Sequence, residues 1–209
     1  MWFHRFVRAV LLGFLRPYTR LSVEGTERVP SSGAFVLAPV HRSFADFALV
    51  AAVTRRPMRF MAKDSLWDNR VLAALLNRLG AFPVHRGTVD RQALRRSVEV
   101  LESGEPLVIF PEGTRRSGPV VEDLFEGAAY VAARAGVPLV PVGIGGSERM
   151  MQKGKKLPRP TRVHIVVGDP ILVPTEGGRS ARSAVHRLTM ELQEQLQSLF
   201  DAAQKRTGS

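Results

Sequence analysis

The sequence predicts a single-domain α/β fold, with a largely parallel sheet flanked by helices, and three observations carry that prediction. Runs such as Phe35-Val36-Leu37-Ala38 and Leu107-Val108-Ile109-Phe110 are continuously apolar, as strands buried on both faces are. Segments of helical period separate them, at 66–79, 88–103 and 127–136 among others, which is the strand and helix alternation of a parallel sheet. At 209 residues, with no Pro/Gly/Ser-rich linker, the chain can bury one sizeable core and offers no boundary for a second.

Residues 1–20, MWFHRFVRAVLLGFLRPYTR, read as an amphipathic helix set apart from a domain spanning 21–209. On a helical wheel His4, Arg5, Arg8 and Arg16 fall on one side, and Phe3, Phe6, Val7, Val10, Leu11 and Phe14 on the other, with Pro17 closing the pattern. Two arginines inside the segment argue against a spanning helix, and a basic side opposite an aromatic one fits a helix lying in a bilayer interface. Docking on the core is the competing expectation. Residues 21–29 alternate like an edge strand, and the Pro30 to Gly33 turn leads to the run at Phe35. Ser43 and Asp46 have the spacing of a capping box, opening a helix over the apolar segment 44–53. A short strand is expected at 58–62, then the helix at 66–79 stopped by Gly80, and a strand from Ala81. After a helix over 88–103 and the strand at Leu107 come an Ala-rich helix at 127–136 and a strand at 137–144. The latter holds Pro138 and Pro141, which predict an edge position or a kink beside a site. A basic loop at 146–160, a strand at 161–167 and a closing helix through Val185, Leu188, Leu192, Leu196 and Phe200 complete the chain.

The formal net charge of +11 requires something anionic nearby: nucleic acid, anionic lipid or a phosphorylated substrate. No zinc-finger or RRM pattern supports nucleic acid, so charge is its only argument and no nucleic-acid partner is expected. With no cysteine, disulfides, thiolate metal sites and Cys nucleophiles are excluded, and the five histidines lack metal-binding spacing.

Three apolar runs each end in a polar cluster, and in a parallel α/β sheet ligands collect beyond the carboxyl ends of strands. The first cluster is His41 with Asp46. Residues five apart on one helix point about 140° away from each other, so the two meet only if His41 precedes the helix and Asp46 lies in its first turn. The carboxylate then holds one imidazole nitrogen and leaves the other free to take a proton. The second cluster ends at Arg86, a candidate phosphate ligand. The third is Pro111-Glu112-Gly113-Thr114-Arg115-Arg116, where a glycine lets backbone N–H groups approach a phosphate and an arginine supplies a forked contact.

Four ordered motifs, HRSFAD at 41–46, GAFPVHR at 80–86, FPEGTR at 110–115 and VPLVPV at 137–142, resemble those of the glycerophospholipid acyltransferase family. The likeness covers roughly residues 20–170 and is greatest to the bacterial enzymes that esterify lysophosphatidic acid. It implies a glycerol-3-phosphate acyltransferase-like fold and an O-acyltransferase of phospholipid biosynthesis, with lysophosphatidic acid and an acyl thioester as substrates. The thioester would be acyl-CoA or acyl carrier protein, with no further cofactor. It further implies His41 as general base and Asp46 as its orienter, with Arg86, Glu112, Gly113, Thr114 and Arg115 around the acceptor phosphate. Pro141 would lie on the acyl-donor side, and the protein would sit on the cytoplasmic face of the membrane without crossing it. Two positions depart from the family pattern: Val40 stands where a polar residue is usual, and Glu126 where a lysine is common.

Overall fold

A computed structural model describes residues 2–85, 90–150, 159–173 and 181–208. Its strands are β1 (Ser22–Glu24), β2 (Val36–Pro39), β3 (Arg59–Lys63), β4 (Ala81–Val84), β5 (Leu107–Val108), β6 (Leu139–Gly145) and β7 (His164–Val167). They form one sheet in the order β1-β7-β6-β2-β5-β3-β4. Every neighbouring pair is parallel except β6 with β7. All four residues of β2 and all seven of β6 are buried, which is why these strands read as unbroken apolar runs. Because β5 lies beside β2, the ends of these two central strands deliver His41 and Glu112 side by side.

The helices are α1 (Trp2–Thr19), α2 (Asp46–Leu49), α3 (Arg70–Arg78), α4 (Arg91–Glu102), α5 (Gly127–Ala135), α6 (Ser147–Met150) and α7 (Ala181–Thr207). The expected helix over 44–53 is one α-turn continued by a 3-10 turn at Val50–Ala52. The five expected apolar positions of α7 are all buried. That helix lies so close on β6 that a Cβ on Gly143 would stand 2.3 Å from the Leu199 backbone, and one on Gly145 2.4 Å from that of Ala203. The two glycines thus set the distance at which α7 covers the sheet.

Three expectations are corrected. Pro17 does not end α1, which runs on to Thr19. The carbonyl that loses its partner belongs to Gly13, which is exposed to water, and the stop comes at Arg20 with φ 43°. The two sides of α1 are also not basic against apolar. Leu12 and Leu15 face the core, and Arg8 turns inward to the carbonyls of Ala51 (2.8 Å) and Thr54 (3.0 Å). Trp2, Phe6, Val10 and Phe14 form the outward stripe. Finally, Pro141 is not on an edge. Between the pairs Val142↔Val167 and Leu139↔Ile171 the β7 side carries one extra residue, and Pro141 faces that bulge, accepting Gly168 N–H at 2.9 Å. The bulge removes the ladder bond that proline cannot donate.

Candidate active site

The site begins where β2 ends. Residues 41–43 leave the strand and turn sharply, and the turn closes on one atom, Asp46 Oδ2. It accepts the backbone N–H of Arg42 (2.7 Å) and of Ser43 (2.7 Å), together with His41 Nδ1 (3.0 Å). Asp46 is the first residue of α2, so the chain doubles back as the five-residue spacing requires. Only half of the expected capping box forms. Asp46 takes the Ser43 N–H, but the Ser43 hydroxyl takes the N–H of Ala45 (3.3 Å), and the N-cap is Ala45.

A carboxylate can only accept, so Nδ1 carries the proton and Nε2 keeps a lone pair. No described residue bonds Nε2. The imidazole is 2 % exposed, held between Phe110 (ring centroids 4.3 Å apart) and Phe47 (5.4 Å). A base so enclosed has one outward direction and little rotational freedom, the preorganisation that proton transfer from a bound hydroxyl needs.

Glu112 stands differently from the expected phosphate contact. It is fully buried, and its carboxylate accepts the His41 backbone N–H (2.7 Å) and pairs with the Arg42 guanidinium. An anion with both oxygens engaged by protein donors has nothing to offer a phosphate. It fixes the backbone of the histidine instead. Arg42 completes the lock by donating to the Val120 carbonyl (3.1 Å) and lying 4.8 Å from the Phe200 ring centroid on α7. Sequence reasoning missed Arg42. One charged residue beside the histidine carries no signal of burial, and the burial of Glu112, which calls for a cationic partner, is seen only in the structure.

The loop after Glu112 lies over the same strand ends. Arg116 N–H reaches the His41 carbonyl (2.9 Å), and Thr114 and Arg115 are exposed beside it. Gly113 adopts φ 68°, and a Cβ there would meet the Phe125 ring at 2.6 Å, so this position requires glycine on both counts. Pro141 pairs with Ala38 of β2, three residues before His41, and is buried in the sheet. Arg86 lies outside the described residues. Just before it, His85 binds Asp64 (2.5 Å) through Nδ1 and Asp90 (2.9 Å) through its backbone N–H. The His85 bond holds the Asp64 carboxyl below the usual range, and the N–H groups of Ala93 and His85 do the same for Asp90. Of the two departures, Val40 is fully buried in the core, and Glu126 bonds His186 of α7 (3.2 Å). Among the described residues no cluster of His, Asp or Glu could hold a metal ion.

A carboxylate-oriented histidine at the end of a central parallel strand, with no described side-chain nucleophile bonded to it, is an arrangement able to take a proton from a bound hydroxyl. Residues 20–145 match the family model for Acyltransferase, and the chain belongs to that family. It is 30% identical over 152 residues to the 1-acyl-sn-glycerol-3-phosphate acyltransferase of Bacillus subtilis, covering 72% of this chain and 73% of that protein. It is 33% identical over 149 residues to the enzyme of the same name from Streptococcus pneumoniae, covering 70% of this chain and 53% of the other. The chain likewise spans about half of the chloroplastic LPAT1 of Arabidopsis thaliana (27% identity, 81% of this chain, 49% of that one). Its fold is similar to the crystal structure of the 1-acyl-sn-glycerophosphate acyltransferase of Thermotoga maritima. That match has a TM-score of 0.73 and 24% identity over 92% of this chain and 80% of that one.

Proposed function

We propose that this acyltransferase moves an acyl chain from a thioester, acyl-CoA or acyl carrier protein, to the free hydroxyl of lysophosphatidic acid, giving phosphatidic acid. The observation that carries the reading is the His41–Asp46 pair with Nε2 unbonded by any described residue, in a chain 30% identical to a relative named for that reaction. His41 Nε2 removes the hydroxyl proton while the oxygen attacks the thioester carbonyl carbon. Asp46 stabilises the imidazolium that forms. Collapse of the tetrahedral intermediate breaks the C–S bond, and the imidazolium returns its proton to the departing thiolate. Arg115 and the Thr114 hydroxyl are the described groups that would meet the acceptor phosphate, with Arg86 as the partner expected from sequence, whereas the Gly113 N–H is already given to the Phe110 carbonyl (3.0 Å).

The outward stripe of α1 supports work at a membrane surface, on the cytoplasmic face where the thioester donors are found. No described helix is long and apolar enough to cross a membrane. The test is thiol release from an acyl thioester, followed with a thiol reagent across a panel of acceptors. Release that requires lysophosphatidic acid and matches phosphatidic acid formed is the expected result. Release without any acceptor would make the chain a thioesterase, and a preference for another lysophospholipid or a glycolipid would replace the acceptor named here.

A further inference from the structure

Helix α3 has an amphipathic pattern but buries none of its residues. Val71 is 82% and Leu75 43% exposed. Such a face is unusual in water unless something covers it. α1 presents a second one, with Trp2, Phe6, Val10 and Phe14 exposed at four-residue spacing. The two faces are continuous. At ~100° per residue Val71, Leu75 and Arg78 fall within about 60° of one another on α3, and Phe3 within about 60° of Phe6 and Val10 on α1. The Arg78 guanidinium lies 4.7 Å from the centroid of the Phe3 ring, so the outward sides of the two helices meet at that contact.

We infer that α1 and α3 together form one lipid-contacting surface, and that its occupant is an anionic bilayer leaflet. Charge decides for lipid over protein. Lys63, Arg70 and Arg78 border the α3 face, Arg5 and Arg16 the edge of the α1 stripe, and all five are exposed. Of the acids beside α3, Asp64 is engaged by His85 and Asp68 is exposed, so one open carboxylate stands against five cations. Apolar side chains between cations are the pattern that seats a helix at the boundary of headgroups and acyl chains. α3 also follows the carboxyl end of β3, the sheet edge that carries His41, and two helices fix an orientation where one leaves rotation free. The leaflet is thereby held near the site mouth, and a lipid-borne acceptor reaches His41 without leaving it. This last step rests on the proposed acyl transfer; lipid contact by α3 does not.

The chain has two tryptophans, Trp2 on α1 and Trp67, whose indole donates to Asn77 of α3 at 2.9 Å. Full-length Trp2→Phe and Trp67→Phe proteins each leave one reporter. With phosphatidylglycerol/phosphatidylcholine vesicles carrying brominated acyl chains, both reporters should be quenched. Adding Val71→Asp with Leu75→Asp to the Trp2→Phe protein should abolish Trp67 quenching and weaken vesicle binding about tenfold or more. Turnover of detergent-dispersed acceptor should survive. Quenching of Trp2 alone, with vesicle binding unaffected by the two aspartates, would overturn the inference and leave α1 as the sole anchor. Absence of both signals would sink the membrane reading as a whole, with acyl transfer judged separately by the detergent assay. A change of oligomeric state on adding the aspartates, read by sedimentation velocity without lipid, would show a second copy on this face and equally overturn it.

Discussion

At the scale of single residues, one carboxylate oxygen organises the site: Asp46 Oδ2 closes the turn through two backbone N–H groups and orients the imidazole. Asp46→Asn keeps an acceptor for the turn but removes the charge facing the imidazolium. It should lower kcat by at least ~10²-fold with a modest loss of stability, measured by steady-state kinetics beside thermal melting. An effect confined to KM would contradict the role. Glu112→Gln strands the Arg42 guanidinium in the core. Breaking one partner of a buried pair costs about 3–5 kcal/mol, so denaturant unfolding should show a large loss that Arg42→Met in the same protein partly restores. If Glu112→Gln instead left stability intact and raised KM for the acceptor alone, Glu112 would be a substrate ligand after all. The His–Asp pairing was legible because a five-residue spacing admits only a turn. The task of Glu112 was not, because motif spacing cannot say whether a carboxylate points into a cleft or into the protein.

Among the elements, α1 shows how periodicity is read correctly and oriented wrongly. The wheel identifies an amphipathic helix, but Arg8 is half-buried and turned toward two carbonyls, and part of the aromatic side lies outside. Removing residues 1–20 would therefore strip cover from the core. Leu12→Ala should cost about 2–5 kcal/mol, whereas Phe6→Asp with Phe14→Asp should leave unfolding nearly unchanged and weaken vesicle sedimentation. Equal destabilisation by both would mean that the outward stripe is packed in solution. At the β1–β7 edge, His164 is 4% exposed, with Ser22 Oγ at 2.6 Å from Nδ1. Burial first, then the Arg206 charge, hold its imidazole below the ordinary histidine range, against the pull of Glu24. The unfolded chain thus binds this proton more readily than the folded one. Stability is complete above about pH 6.5 and falls as pH drops from there toward the lowered folded value. Melting temperature followed from pH 8 to 5 should decline less in His164→Gln, and parallel profiles would remove His164 as the cause.

For the whole molecule, the parallel sheet was readable because strands buried on both faces leave continuous apolar runs that surface strands cannot imitate. The central place of β6 was hidden by Pro138 just before it and Pro141 within it, since the bulge that excuses Pro141 is supplied by residues 168–170, far along the chain. The exposed face of α3 was hidden for another reason: a helical apolar stripe looks the same whether it meets a core or a membrane. What the assembled fold achieves is to bring to the carboxyl end of β2 one imidazole nitrogen that no described residue bonds, and the most direct test is single-turnover acyl transfer by His41→Gln. Because His41 is buried against Phe110, glutamine is a better choice than alanine, which would open a cavity. With near-UV circular dichroism matching the parent, the chemical step from thioester to lysophosphatidic acid should slow by ~10²- to 10⁴-fold while binding of both substrates is retained. A His41→Gln protein that forms phosphatidic acid at close to the parent rate would contradict the role of His41 as the base.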